Sequence, residues 1–325
     1  MKTFTVNLDL EPELRWNEVT AFYKDEMQEL IPAFNQSLAR EFGWFGYLLK
    51  YLLAYINIPL TYQRELSAIS AQSGIPYSVL VGLNVGLDFM CACTSAAVIT
   101  KEGLFHLRNM DWDIDVLRKL TCQIDFIRQG QHLYSSVLWA GFVGCLTSCS
   151  THNFSISLNY RKDRNFNFSQ ILRLLFGYQK PISFELRDIM EISDSWETAI
   201  SKVNKLKVCP CYLLVSGVND AILFIKNYQT TTKRYLNNNY LIQTNHDLDI
   251  DAKVPDYEKW CDGDELLLNS KTRYSVANSL LSSAKYYNNL SNILYTPPIL
   301  NNQTIYSVIM SPSQGKFIHQ HVHQL

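Results

Sequence analysis

The sequence predicts an α+β fold built in layers, and three observations carry that expectation. The first ninety residues place apolar side chains at helical spacing, whereas from residue 93 onward the chain turns to short β-rich runs. These runs come in pairs closed by short polar turns, so they read as antiparallel hairpins with helices between them. No G-x-G-x-x-G or G-x-x-x-x-G-K-[ST] run occurs, which argues against dinucleotide-binding and P-loop folds.

Taken in order, residues 1–9 read as a strand that starts at once. Helical spacing follows at 16–30, 32–41, 44–56 and 61–73; Gly74-Ile75-Pro76 is a turn, and Ser78 is placed to cap the next helix. One hairpin joins 93–100 to 104–112 across Lys101-Glu102-Gly103, and a second joins 122–127 to 132–139 across Arg128-Gln129-Gly130. Residues 154–158 alternate like a further strand. Helix returns at 168–178 and 196–205, the latter with Asp194 and Glu197 spaced as a capping box. A hairpin at 211–216 and 221–226 turns at Gly217-Val218-Asn219-Asp220; 240–244 is a short strand and 272–284 a helix. Runs 304–310 and 316–322 close the chain across Pro312-Ser313-Gln314-Gly315.

Composition narrows the function. Of 325 residues, 47% are hydrophobic and 18% charged, enough apolar matter for a sizeable core. The formal net charge of −1 argues against nucleic acid as a partner, because phosphate binding needs clustered Lys and Arg. The 19 Tyr, 16 Phe and 6 Trp suit both a core and the handling of a lipid. The eight cysteines include no C-x-x-C pair, so neither a zinc site nor any other cofactor is expected, and most read as buried thiols. His319, His321 and His323 alternate on one strand face; three imidazoles could hold a metal, but a frayed polar terminus is the plainer reading. The most apolar stretch, 44–60, is broken by Lys50 and Pro59 and is short for a membrane span. It reads as a core helix or, alternatively, as an amphipathic one making peripheral membrane contact through 44–58. The N-terminus lacks the apolar run of a secretory leader, so the expected compartment stays open.

The strongest chemical cluster is Cys93-Thr94-Ser95 followed by Arg108-Asn109-Met110-Asp111. On the predicted hairpin, the turn brings Arg108 and Asp111 back beside Cys93. A guanidinium favours the reactive thiolate, and a carboxylate can hold an amine. The sequence positions no histidine as base. The set makes sense if the base is the α-amine of Cys93 itself, freed when the preceding peptide bond is cut.

These motifs resemble the acid ceramidase and N-acylethanolamine acid amidase family. Phe4-Thr5-Val6-Asn7-Leu8-Asp9 with Pro12-Glu13-Leu14-Arg15-Trp16, then Trp139-Ala140-Gly141-Phe142-Val143-Gly144 and Gln243-Thr244-Asn245-His246-Asp247, extend the resemblance over nearly the whole chain. It implies an αββα sandwich of the N-terminal-nucleophile hydrolase type, with 1–92 as the small, mostly helical subunit and 93–325 as the large catalytic one. It also implies a cut between Ala92 and Cys93, after which the small subunit stays as a partner. Cys93 would be the nucleophile, Arg108 its neighbour, Asp111 the holder of the amine, and Asn245 the group that polarises the carbonyl. Arg273 would correspond to a family arginine, and Tyr160, Phe142 and Trp112 would line the substrate. The implied substrate is an N-acyl lipid, ceramide or N-acylethanolamine; conjugated bile salts or penicillin-type amides use the same chemistry, and the family is lysosomal. Where the family carries Glu in an Asn-Glu-Arg triplet, this chain has Asn159-Tyr160-Arg161, and Ser270-Lys271 replaces an acidic pair before Arg273. A degenerate member that binds lipid or a partner without turnover, or a Cys-dependent acyltransferase that never cuts itself, are the alternatives.

Overall fold

The computed structural model of the chain describes residues 1–44, 46, 51–85, 92–161, 173–174, 176–248 and 265–324. Strand β1 (Lys2–Asn7) leads into helices α1 (Asn17–Phe22), α2 (Leu30–Phe42), α3 (Leu60–Ser73) and α4 (Tyr77–Val85). The hairpin β2 (Ala92–Thr100) and β3 (Gly103–Asp111) follows, then α5 (Val116–Leu120), β4 (Thr121–Arg128), β5 (Gln131–Trp139), β6 (Thr147–Ser150) and β7 (Phe154–Tyr160). Next come α6 (Ile182–Ile192), α7 (Trp196–Lys205) and strands β8 (Cys211–Ser216), β9 (Ala221–Lys226), β10 (Thr231–Tyr235) and β11 (Tyr240–Gln243). Helices α8 (Glu265–Leu281) and α9 (Leu290–Tyr295) precede the last hairpin, β12 (Thr304–Ser311) and β13 (Lys316–Val322).

The chain divides into two compact units. One gathers Met1–Phe89, Asp113–Ser148 and Phe166–Ile192; the other gathers Met90–Trp112, Cys149–Asn165 and Ser193–Leu325. In the first unit, β1 lies parallel to β4, and β4 turns into β5 through Gln129 and Gly130, both at positive φ (52° and 72°). Such a two-residue turn matches the right-handed twist of the strands it joins. The buried charge in this unit is paired: Glu65 accepts from Arg187, from Arg15 and from the indole N–H of Trp16. Loss of either partner would leave an uncompensated ion in the core.

The second unit carries the αββα layers. A five-stranded sheet runs β11-β2-β3-β12-β13, and strands β7-β8-β9-β10 form a further antiparallel run. Period-two alternation splits β2 and β3 between two cores. Ala97 and Leu104 pack against Tyr212, Leu214 and Leu223 between the sheets, whereas Ala96, Val98, Phe105 and Leu107 pack under α8 and α9. Helix α7 covers the far side of β8 and β9, where Lys226 donates its ammonium to the carbonyls of Val203 and Asn204 at the end of that helix.

Several local expectations are corrected. Ser195, not Asp194, caps α7, accepting from Thr198 N, because its extended backbone aims the hydroxyl at the first turn. Ser78 lies inside α4 rather than at its cap. The 16–30 run shortens to α1 and a 3-10 turn, and the 272–284 helix begins earlier, at Glu265. The C-terminus is not frayed: β13 pairs with β12, and the rings of His319, His321 and His323 sit about Tyr295 at 5.7–5.8 Å. Much of the 44–56 and 168–178 helices falls outside the described residues, as does Cys91.

Candidate active site

The β2–β3 hairpin brings the chemical cluster together because its turn holds only two residues, Lys101 and Glu102, with Gly103 following at φ 122°. That register pairs Cys93 with Met110 and Ser95 with Arg108, so all four side chains share the face that looks between the sheets. Cys93 and Arg108 are fully buried there. Arg108 Nη2 donates to Cys93 Sγ at 3.1 Å and lies 3.0 Å from Met110 Sδ. Its Nη1 donates to Ser95 Oγ at 3.0 Å and to Asn159 Oδ1 at 2.7 Å.

Asp111 faces the opposite side of the sheet, towards α8. It accepts from Thr304 Oγ1 at 2.7 Å and Asn301 Nδ2 at 3.1 Å, and Arg273 Nη1 lies 3.9 Å away. Burial raises its pKa above the ordinary carboxylate value, against the pull of Arg273, of these hydrogen bonds and of Arg108. In this uncut chain, the Cys93 N–H donates to the side-chain oxygen of Asn245 at 2.8 Å.

Arg273 is brought in by the spacing of α8. Ser270, Arg273, Ala277 and Leu281 make one buried stripe; its apolar end enters the core and its polar end reaches the Cys93 backbone carbonyl. Arg273 Nη1 donates to Cys93 O (2.6 Å) and Thr94 Oγ1 (2.9 Å), Nη2 to Asn245 Oδ1 (2.8 Å), and Nε to Asn269 Oδ1 (2.7 Å). Burial pushes its pKa below the usual guanidinium value, opposed by Asp111 and Cys93. Two buried guanidinium groups thus touch Cys93, one at the sulfur and one at the carbonyl. That local charge favours a thiolate.

Asn245 sits in the turn after β11, which is held from several sides. Its Nδ2 donates to Tyr160 O at 2.8 Å, Ser270 Oγ accepts from its backbone N–H at 2.8 Å, and Asn159 Nδ2 grips the carbonyls of Gln243 and Thr244. Two residues on, Asp247 accepts from Arg161 and from Tyr212 Oη at 2.7 Å, locking the turn to the end of β7. Ser270 therefore cradles this turn, where it also meets His246 Nδ1 at 2.8 Å. Burial, and the nearby cations Lys271 and Arg273, lower the His246 pKa to about 4.

Tyr160 ends β7 half-buried, with its carbonyl on Asn245, and Trp112 follows β3 directly and is buried. Phe142 belongs to the first unit, where its ring packs edge-on to Trp139 at 5.6 Å. Sequence reasoning missed Ser95, Asn159 and Ser270 as site members. Ser95 and Asn159 fall within motifs it quoted, and period-two alternation from Cys93 would have put Ser95 on the thiol face.

Residues 1–57 match the family model described as the beta subunit of N-acylethanolamine-hydrolyzing acid amidase. The chain is 28% identical to acid ceramidase of Bos taurus, over 97% of this chain and 84% of that protein. It is 25% identical to N-acylethanolamine-hydrolyzing acid amidase of Caenorhabditis elegans, over 95% and 88%. The solved structure of the Caenorhabditis elegans ortholog of that amidase superposes with a TM-score of 0.57 at 25% identity, covering 68% of this chain and 93% of that one.

Proposed function

We propose that this chain, which belongs to the acid ceramidase and N-acylethanolamine acid amidase family and has its N-terminal-nucleophile hydrolase fold, is a cysteine amidase that cuts itself before Cys93 and then hydrolyses N-acyl lipids. The observation that carries the proposal is the convergence on one residue: Arg108 on the sulfur, Asn245 on the nitrogen and Arg273 on the carbonyl of Cys93.

In the precursor, the Cys93 thiol attacks the Ala92 carbonyl, and its proton passes to the departing amide nitrogen. The resulting thioester is opened by water, leaving 1–92 with a carboxylate and Cys93 with a free α-amine. That amine then serves as base. It takes the thiol proton as sulfur attacks the lipid amide, and delivers it to the leaving amine. Water, deprotonated by the same amine, releases the fatty acid from sulfur. Asn245 Oδ1 is positioned to orient the amine. Asn245 Nδ2 can serve the oxyanion only once it leaves Tyr160 O. Tyr160 occupies the family's glutamate position without supplying an acid at working pH.

Membrane contact belongs to the same proposal. Tyr51 and Tyr55, four residues apart, are 70% and 77% exposed, and Trp44 is 81% exposed, while Leu53, Ile56 and Ile58 are buried. Exposed Trp and Tyr suit the headgroup level of a bilayer. No described helix is long and apolar enough to cross a membrane.

The test is fatty-acid release from ceramide and from N-acylethanolamine of equal acyl length by the full chain at mildly acidic pH. Release that disappears in Cys93→Ala supports the amidase. A chain that cuts itself but releases fatty acid from neither lipid favours the bile-salt or penicillin-type amides. A chain that binds lipid without cutting or turnover supports the degenerate reading, for which Tyr160 is the motivating departure.

A further inference from the structure

A file of buried polar side chains runs away from the thiol between the sheets of the second unit. Ser95 Oγ lies 2.6 Å from Asn159 Oδ1 and 2.9 Å from Ser157 Oγ. Ser157 Oγ lies 2.8 Å from His106 Nε2, and His106 Nδ1 lies 2.8 Å from Ser155 Oγ. His106, Ser155 and Ser157 are completely buried, and Ser95 and Asn159 nearly so. None of these contacts is part of the hydrolytic steps.

Counting protons gives the file one direction. Asn159 faces two carbonyls with its amide nitrogen, so its oxygen must face Arg108 and Ser95. Ser95 has one proton and gives it to that oxygen; its lone pairs receive Arg108 Nη1 and the hydroxyl of Ser157. Ser157 has then used its proton and can only accept from His106 Nε2. A neutral imidazole carries one proton, so Nδ1 accepts from Ser155. Burial, with Arg108 close by, lowers the His106 pKa to about 3, which keeps the ring neutral at mildly acidic pH. The reverse order would leave two hydroxyl oxygens facing each other at 2.9 Å without a proton between them.

We propose that His106, as its Nε2–H tautomer, is a positioning residue that acts through Ser157 and Ser95 to fix the Arg108 guanidinium against the Cys93 thiol. This rests on Cys93 being the nucleophile. Asn159 Oδ1 holds the Ser95 proton, the Ser157 hydroxyl fills one Ser95 lone pair, and the imidazole keeps Ser157 turned to that task, so that the other lone pair of Ser95 faces Arg108. Without the imidazole, Ser157 is free to turn from Ser95, and Ser95, one of the two acceptors of Arg108 Nη1 that aim Nη2 at sulfur, is held less firmly.

The experiment uses the full chain with His106→Leu, His106→Gln and Ser157→Ala. It reads the rate of cutting before Cys93 against pH. It also reads the ultraviolet thiolate absorbance as a difference from matched Cys93→Ala proteins. His106→Leu and Ser157→Ala should raise the thiolate midpoint by about one pH unit and slow cutting about tenfold at fixed pH, the scale of one buried hydrogen bond. His106→Gln, whose amide nitrogen can reach the Nε2 position, should restore most of both. An unchanged midpoint in a folded variant, or Gln no better than Leu, would overturn the inference. Should His106→Leu fail to fold, Ser157→Ala decides by the same criterion. Cutting in Cys93→Ala itself would overturn the nucleophile assignment, whereas a silent Cys93→Ala beside an unaltered Ser157→Ala overturns the role of His106 alone.

Discussion

Arg273→Lys separates charge from geometry at the centre of the site. The arginine makes four hydrogen bonds, to Cys93 O, Thr94 Oγ1, Asn245 Oδ1 and Asn269 Oδ1, from three different nitrogens. A lysine keeps the charge that faces Asp111 at 3.9 Å, but offers a single nitrogen. It can serve the adjacent pair on β2 or the Asn245 side, not both. Two charge-assisted hydrogen bonds are lost, each worth about 1.5–3 kcal/mol, so the variant should lose at least about 3 kcal/mol of site organisation. If that organisation is needed in the transition state for cutting, the rate falls about a hundredfold. Intact-mass time courses of Arg273→Lys and wild type give the rate, and urea unfolding of both in a Cys93→Ala background gives stability without mixing cut and uncut chains. Cutting within about twofold of wild type would refute the reasoning and reduce Arg273 to a packing role.

Three other outcomes are expected. The buried Asp111 carboxyl binds its proton more tightly folded than unfolded, so its contribution makes stability fall as pH rises above 3.8; in Cys93→Ala protein, Asp111→Asn should abolish that fall, and an identical pH slope would contradict the raised pKa. His246 and His106 go the other way. Their folded pKa values, about 4 and about 3, lie below the unfolded 6.5, so stability drops as pH falls from 6.5, by up to about 1.4 kcal/mol per unit for each; His246→Gln should flatten this loss in urea titrations between pH 7 and 4.5. Replacing Trp44, Tyr51 and Tyr55 together by Ser should weaken sedimentation with phospholipid vesicles several-fold while leaving the cut before Cys93 unchanged; equal binding would remove 44–58 as a contact surface.

The sequence carried most of the second unit. Its hairpins were legible because alternation and turn residues agree, and the strands at 211–216, 221–226 and 316–322 fall where expected. The meeting of Cys93 with Arg108 was legible for the same reason, since a two-residue turn fixes register and register fixes faces, whereas Asp111 falls on the opposite face of the sheet. What stayed hidden depends on contacts between distant segments. Arg273 could be a surface or a site arginine until Ser270, Ala277 and Leu281 were seen to share its buried stripe. Helix α6 was missed although its moment is that of an amphipathic helix, and α9 is short enough that packing, not propensity, decides it. The inward-facing Ser157 and Asn159 were hidden because polar residues in a strand read as solvent-facing until the second sheet covers them.

Whether Cys93 becomes an N-terminus decides more than any other observation. Purified full chain, incubated at mildly acidic pH beside Cys93→Ala, should resolve by intact mass and N-terminal sequencing into 1–92 and 93–325, with Cys93 as the new terminus in the wild type and a single whole chain in the variant. A wild-type chain that stays whole across pH and added detergent, or one that is cut equally in Cys93→Ala, would contradict the self-processing amidase.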